Sequence, residues 1–196
     1  MFYKNNYHLQ PIVDEWIIHL KELIEKIFKC NLNTNSFKQI CTIDIDNLYA
    51  FKHKGFVRNI GGAVKDLFQL KINLIIQRIS VCLNITKDPF DVYEWLHTIH
   101  RQYQLKPVYF FLLASKRKGY DKNLSPKIKA LQLLIQQHAQ HYTIGIHPSW
   151  QSGDDETSLK EEIIALQNII QEAVQYSRQH YIRMSLPETY QKLIEQ

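Results

Sequence analysis

The chain has 196 residues, 45% of them hydrophobic and 12% aromatic, which is enough to bury one substantial core and excludes a disordered chain. Its formal charge is +5, but Lys and Arg are spread along it, and the short basic clusters (Lys52 with Lys54, Lys116 to Lys118) carry no DNA- or RNA-binding motif, so no nucleic-acid partner is expected. Cys30, Cys41 and Cys82 show no CxxC spacing, the N-terminus lacks a charged start followed by an apolar block, and no run approaches the roughly 18 apolar residues of a bilayer span. A reducing, cytoplasmic setting without a membrane span is the expectation.

Residues 11–29 place Ile12, Trp16, Leu20, Leu23 and Ile27 at spacings of three and four behind Pro11, the pattern of an amphipathic helix. The turn-rich run 31–36 then separates this leader, residues 1–36, from an α/β domain expected over 37–196. That domain opens on CTIDIDNL, Cys41 to Leu48, an apolar β-favouring run with Asp44 and Asp46 at its downstream end. Side chains alternate along a strand, so the two carboxylates point the same way; like charges held that close call for a cation, an arginine or a shared proton. A turn that only uses its Asp residues as caps is the plainer reading.

Beyond it, Gly61 and Gly62 interrupt a helical pattern that resumes through Val64, Leu67 and Phe68 towards Leu83. Asp88 before Pro89 predicts an N-cap and a helix to about Tyr103; His97 and His100 on that helix fit a solvated face better than a metal site. The unbroken run VYFFLLA, 108–114, predicts a strand buried on both faces, Ser125 and Pro126 start a helix to about His138, and YTIGIH, 142–147, predicts a third strand. Ser158 to Glu161 reads as a capping box before a stripe of Leu159, Ile163, Leu166, Ile170 and Ala173; 180–185 alternates like a fourth strand, and Ser185 with Glu188 makes a second capping box. Alternating strands and helices predict a parallel α/β sheet or barrel with its chemistry at the carboxyl ends of the strands. Those ends carry Asp44 and Asp46, then Ser115, then His147, and then Arg178, His180 and Tyr181, a set able to bind a divalent metal and activate water.

The runs TIDIDN, GIHPSW and SRQHYIR resemble the metal-binding and catalytic motifs of the polysaccharide deacetylases, the NodB-homology family of carbohydrate esterases, over roughly residues 38–196. The resemblance implies a partial or distorted (β/α) barrel and a metal-dependent enzyme that removes N- or O-acetyl groups from an acetylated oligo- or polysaccharide. It makes Asp44 the general base, Asp46 and His147 metal ligands, and Arg178 the arginine that orients the base, with zinc the expected metal and cobalt or nickel as alternatives. Two departures stand out. Four residues after His147, where the family places a second histidine, the chain has Gln151, so the third ligand is left to His180, Gln151 or water; and the family's downstream histidine motif has no counterpart before Gln196, so a domain cut short at its C-terminal end is expected. Trp150, Tyr181, Tyr49 and Phe51 lie near the motifs and suit stacking on sugar rings, although such residues also serve as core.

Two other readings compete. DIDNL after an apolar strand also resembles the nucleophile motif of haloacid-dehalogenase-type phosphatases, with Asp44 attacking phosphorus, but Asp154 and Asp155 come several residues too late for that family's acidic pair. A degenerate deacetylase-like module that binds glycan without turnover is the third. Lys116, Arg117 and Lys118 suit either an anionic sugar or a plain solvated loop.

Overall fold

The computed structural model describes residues 9–33 and 38–196; residues 1–8 and 34–36 of the expected leader lie outside them. The chain separates into two compact units, Met1–Gln39 and Ile40–Gln196. In the first, α1 (Ile12–Phe28) follows Pro11 and ends at Lys29, whose left-handed backbone closes the helix. Its apolar stripe is exposed, with Trp16 66% and Leu20 57% accessible.

The second unit is α/β, with helices alternating around an open parallel sheet in the order β1-β2-β3. The strands are β1 (Thr42–Ile45), β2 (Val108–Phe111) and β3 (Thr143–Ile146), in register so that Ile45, Phe111 and Ile146 are level. Between β1 and β2 come α2 (Phe56–Phe68), α3 (Ile72–Cys82) and α4 (Tyr93–Gln102); α5 (Lys129–Ala139) leads to β3, followed by α6 (Glu156–Ile170) and α7 (Glu188–Ile194). One face of the sheet, Tyr109, Phe111, Ile144 and Ile146 with Ile43 and Ile45, packs against Leu131, Leu134 and Ile135 of α5 and Leu159, Ile163, Leu166 and Ile169 of α6. The other face carries two rows. Asp44, Phe110 and Gly145 are level in the first; Asp46, Leu112 and His147 continue in the second, where Leu112 N donates to Ile45 O and His147 N to Phe111 O.

Gly145 is required there. A Cβ would lie 2.6 Å from the Phe110 ring and 2.7 Å from Tyr176 O, so only glycine lets the buried Phe110 ring floor this face.

Several expectations are corrected. Gly61 and Gly62 do not interrupt α2: Gly62 leaves room for the Arg78 guanidinium, which pairs with buried Asp66 at 2.7 Å and stacks over Phe51 at 4.7 Å, contacts that offset the modest cost of a helical glycine. Leu70, at positive φ, instead separates α2 from α3. Asp88 caps no helix, since α4 begins at Tyr93; it is 2% exposed and accepts hydrogen bonds from Ala50 N, Phe51 N and Lys52 N, tying down the loop after β1. Burial alone would raise its pKa, but these donors with Phe90 N hold the carboxyl below its usual range.

The N-cap of α6 is Asp155, whose side chain accepts from Thr157 N and Ser158 N, so the capping box proposed at Ser158 lies one turn too late. Its buried stripe ends at Ile169, with Glu162 in it, and Ala173 is outside the helix. The fourth strand expected over 180–185 is not formed. Residues 176–178 run beside β3 through the single Ile146–Ser177 bridge, and His180–Ile182 is a 3-10 turn with Tyr181 at φ 57°. A side chain following the chain into such a turn no longer alternates, whatever its hydropathy pattern.

Candidate metal centre

The site is assembled from two carboxyl-terminal strand ends and one tethered segment. Asp46 directly follows β1, and His147 directly follows β3. Beyond Ile146, three hydrogen bonds hold 176–180 alongside: Ile146 N to Tyr176 O, Arg178 N to Ile146 O, and His180 N to Pro148 O. In a flat sheet this segment would lie three strand spacings, about 14 Å, from β1. His180 Nδ1 is nevertheless 3.5 Å from Asp46 Oδ1, and Arg178 Nε 3.4 Å from Asp44 Oδ2, so the sheet curls and the face bearing Asp44, Asp46 and His147 is its concave side.

At the centre, Asp46 Oδ1 lies 3.2 Å from His147 Nε2 and 3.5 Å from His180 Nδ1, and the two ring nitrogens are 3.0 Å apart. The other nitrogen of His147, Nδ1, meets the Arg178 carbonyl, which can only accept, so this contact places a proton on Nδ1 and leaves Nε2 with a lone pair facing the group. Both histidines are buried, at 3% and 5% exposure, whereas the Asp46 side chain is half exposed. Asp46 Oδ1 is itself buried and without a hydrogen-bond donor.

A carboxylate oxygen and two imidazole nitrogens, all within 4.8 Å of one another, form a group that could hold a metal ion. Ligands about 2.0–2.1 Å from a tetrahedral zinc lie about 3.3 Å apart, and the three separations here bracket that distance. An N,N,O donor set suits zinc and its borderline neighbours and leaves a fourth position open. The residues present therefore fit a divalent cation.

The electrostatics agree. Asp46 is held below its usual pKa chiefly by the His147 ring beside it, against burial, with His180 adding to the effect; His180 is pushed down, first by burial and then by the neighbouring His147, against the pull of Asp46. Both shifts favour the forms that bind metals.

Arg178 serves twice. Its carbonyl orients His147; its guanidinium lies along β1, Nε pairing with Asp44 while Nη1 donates to Thr42 Oγ1 on the same face. Gln151 is drawn away, its Nε2 donating to Lys116 O and Lys118 O, so His180 and not Gln151 completes the group. Trp150 and Tyr181 form an aromatic shelf beside the histidines with Tyr120: ring centroids are 4.4 Å from His180 to Tyr181, 5.0 Å from Tyr181 to Tyr120, and 4.5 Å from Tyr120 to Trp150. Tyr49 is not on that shelf; it packs edge-on against Tyr93 and belongs to the core margin, as buried Phe51 belongs to the Arg78 contact.

Sequence reasoning missed the supports of the 147–152 loop. Glu162, 2% exposed, accepts from Ser149 N; Asp121, 1% exposed, accepts from Trp150 N; and Arg183 lies 4.5 Å over the Trp150 ring. Glu162 had a signal, since it sits three residues after Leu159 and four before Leu166, on the buried stripe. Asp121, inside a loop, had none.

Fold and site thus define an α/β protein whose concave sheet face gathers a His, His, Asp group suited to a metal, with an arginine-paired aspartate beside it. In comparisons with known proteins, no family model, no curated protein and no solved structure matches this chain.

Proposed function

We propose that the chain is a metal-dependent hydrolase of the polysaccharide-deacetylase kind, removing N- or O-acetyl groups from a glycan. The observation that carries this reading is Asp44, paired with Arg178 at 3.4 Å, on the same strand face as Asp46 of the His, His, Asp group. A cation-binding group with a separate, unliganded carboxylate two residues away is what hydrolysis by an activated water needs: one site for the electrophile and one for the proton.

A divalent cation bound there would supply Lewis-acid chemistry, polarising an acyl carbonyl and making water acidic enough to attack near neutral pH. Asp46, His147 and His180 would hold it. Asp44 would accept the proton of the attacking water, and the Arg178 guanidinium, anchored on Thr42 Oγ1, would keep that carboxylate in one rotamer. Trp150, Tyr181 and Tyr120 would offer ring faces to the sugar next to the acetyl group.

The zinc-loaded chain is expected to release acetate from N-acetylated oligosaccharides, to lose that activity in Asp44→Asn, and to leave p-nitrophenyl phosphate intact. Phosphate release that depends on Asp44, without acetate release, would establish the phosphatase chemistry that the DIDNL run resembles; metal and glycan binding without either product would establish a binding module.

A further inference from the structure

Next to the metal centre lies a second concave feature that the hydrolytic chemistry does not use. The turn after β1 with the start of α2, and the loop after β2, line an open groove of about 810 Å³ whose walls carry Lys54, Arg58, Lys116, Arg117, Lys118 and Lys122. Of these six cations only Lys116 has a carboxylate partner among the described residues, Asp155 at 3.1 Å. Arg58 is held in place by a 2.7 Å hydrogen bond from Nη2 to the Lys122 carbonyl, which joins the two lining segments.

Such crowding is unfavourable without a counter-ion. Lys54 is pushed down to about 8, first by burial and then by the charge of Arg58, with Asp88 opposing; Arg58 is lowered by burial and by Arg117. Clefts that gather one sign of charge concentrate ligands of the other.

The 116–122 loop that lines this groove also reaches the surroundings of the metal centre. Asp121 lines the groove and also holds Trp150 N, and Tyr120, next in the chain, stacks on Trp150 and Tyr181 beside His180. Phe56 and Val57, 80% and 85% exposed and also in the groove's lining, add apolar surface of the kind that sugar ring faces cover. A glycan with an acetyl group at the metal would cross the aromatic shelf and place its next units among the cations.

We propose that this basic groove is an anion-recognising subsite, and that the glycan acted on carries acidic groups, carboxylate or sulfate, within a few units of the acetylated sugar. The inference rests on the deacetylase reading for the direction of the chain across the shelf; the groove's selectivity for anions does not.

The test is calorimetric titration of the full chain with three probes of similar length: tetragalacturonate, a heparin-derived tetrasaccharide and neutral chitotetraose. The acidic probes are expected to bind about tenfold or more tightly than the neutral one, the scale of one charge-assisted hydrogen bond. The better of the two identifies the anionic group. Arg58→Gln with Arg117→Gln should remove the preference, and raising NaCl from about 0.02 M to about 0.3 M should weaken acidic binding while leaving the neutral probe unchanged. Lys118→Gln with Lys122→Gln, further from any packed element, provides the same reading should the arginine variant fail to fold. Asp46→Asn should keep the preference, since the anion does not sit on the metal ligands. Equal binding of acidic and neutral probes, salt-independent binding, or tighter binding of a single-stranded oligonucleotide than of either acidic tetrasaccharide would overturn the proposal. The two readings fail separately: acetate release without acidic preference removes only the subsite, and acidic preference without acetate release removes only the deacetylase.

Discussion

The two ends of the sheet are both rich in histidine, and they use it in opposite ways. At the amino end, α4 and the last turn of α5 bring His97, His100 and His138 together with His141, Tyr109 and Tyr142. His97 Nδ1 meets Tyr142 Oη at 2.6 Å, His138 Nδ1 donates to Leu134 O, and the rings pack edge-on, His138 on Tyr109 at 4.7 Å between centroids and His100 on Tyr142 at 5.5 Å. These histidines are packing residues. At the carboxyl end one nitrogen from each of His147 and His180 converges with a buried carboxylate oxygen, and among the described residues no other group brings three ligand atoms so close. Number of histidines is therefore a poor guide to a metal site; convergence of ligand atoms is the property that matters.

The sharpest way to break the comparison is metal affinity. Asp46→Ala, His147→Ala and His180→Ala are each expected to weaken zinc or cobalt binding by well over the roughly 100-fold that losing an outer partner costs, whereas His97→Ala and His141→Ala at the other end should leave it unchanged. Calorimetric titration measures this, and an amino-end variant that lost affinity as strongly as a carboxyl-end one would end the distinction.

Next in size is Arg178→Ala. Its guanidinium reaches Asp44 and not the metal group, so metal affinity should stay within a few fold while acetate release falls by roughly 10², the scale of general-base catalysis. Lysine should rescue only part of this, because a point charge cannot hold both Asp44 and Thr42 as a planar fork does. Steady-state kinetics with saturating metal separates the two effects.

The ends also differ in how protons act on them. Glu162, under the 147–152 loop, is raised to about 7, first by burial, against the hydrogen bonds from Ser149, with Asp121 adding to the rise. A carboxyl raised in the folded state holds its proton when the unfolded chain has lost it, so its contribution is present at low pH and is lost as pH climbs from about 4.5 through about 7. Between pH 5.5 and 8 this should lower stability by about 2 kcal/mol, a fall that urea unfolding should detect and Glu162→Gln should flatten.

The smallest effect has the opposite sign. His100 and His138 are pushed down, chiefly by burial, so the folded state resists protonation and loses stability as pH falls below the unfolded value of about 6.5. Ring proton titration by NMR should show both resonances moving below that pH, and His138→Gln should reduce the acid sensitivity of unfolding.

Much of this was legible in the chain. The period-two run at 42–46, the apolar blocks at 108–111 and 143–146 and the helical stripes between them fix a parallel α/β arrangement, because hydrophobic period reports which faces must be covered. The carboxyl-end rule then brought Asp44, Asp46, His147, Arg178 and His180 to one rim. Asp-Pro and Ser-x-x-Glu patterns make Asp88 and Ser158 look like caps because such patterns describe local bonding only. Asp88 instead bonds to a loop 36 to 38 residues earlier, a contact without local signature.

What the sequence determined by itself is the set of elements and the identity of the reactive side chains, both consequences of short-range periodicity and residue chemistry. What only the tertiary structure decided is which of those side chains meet. Local pattern makes 180–185 a strand and groups Tyr49 with Trp150, and the family resemblance leaves the third ligand to His180, Gln151 or water. The curl of the sheet, which lets a segment tethered beside β3 reach across to β1, brings His180 to Asp46, while contacts with the loop after β2 hold Gln151 on the 116 and 118 carbonyls. Sheet curvature is a property of how strands pack on helices and on one another, so it is set by contacts between residues more than a hundred positions apart, and no window along the chain contains it.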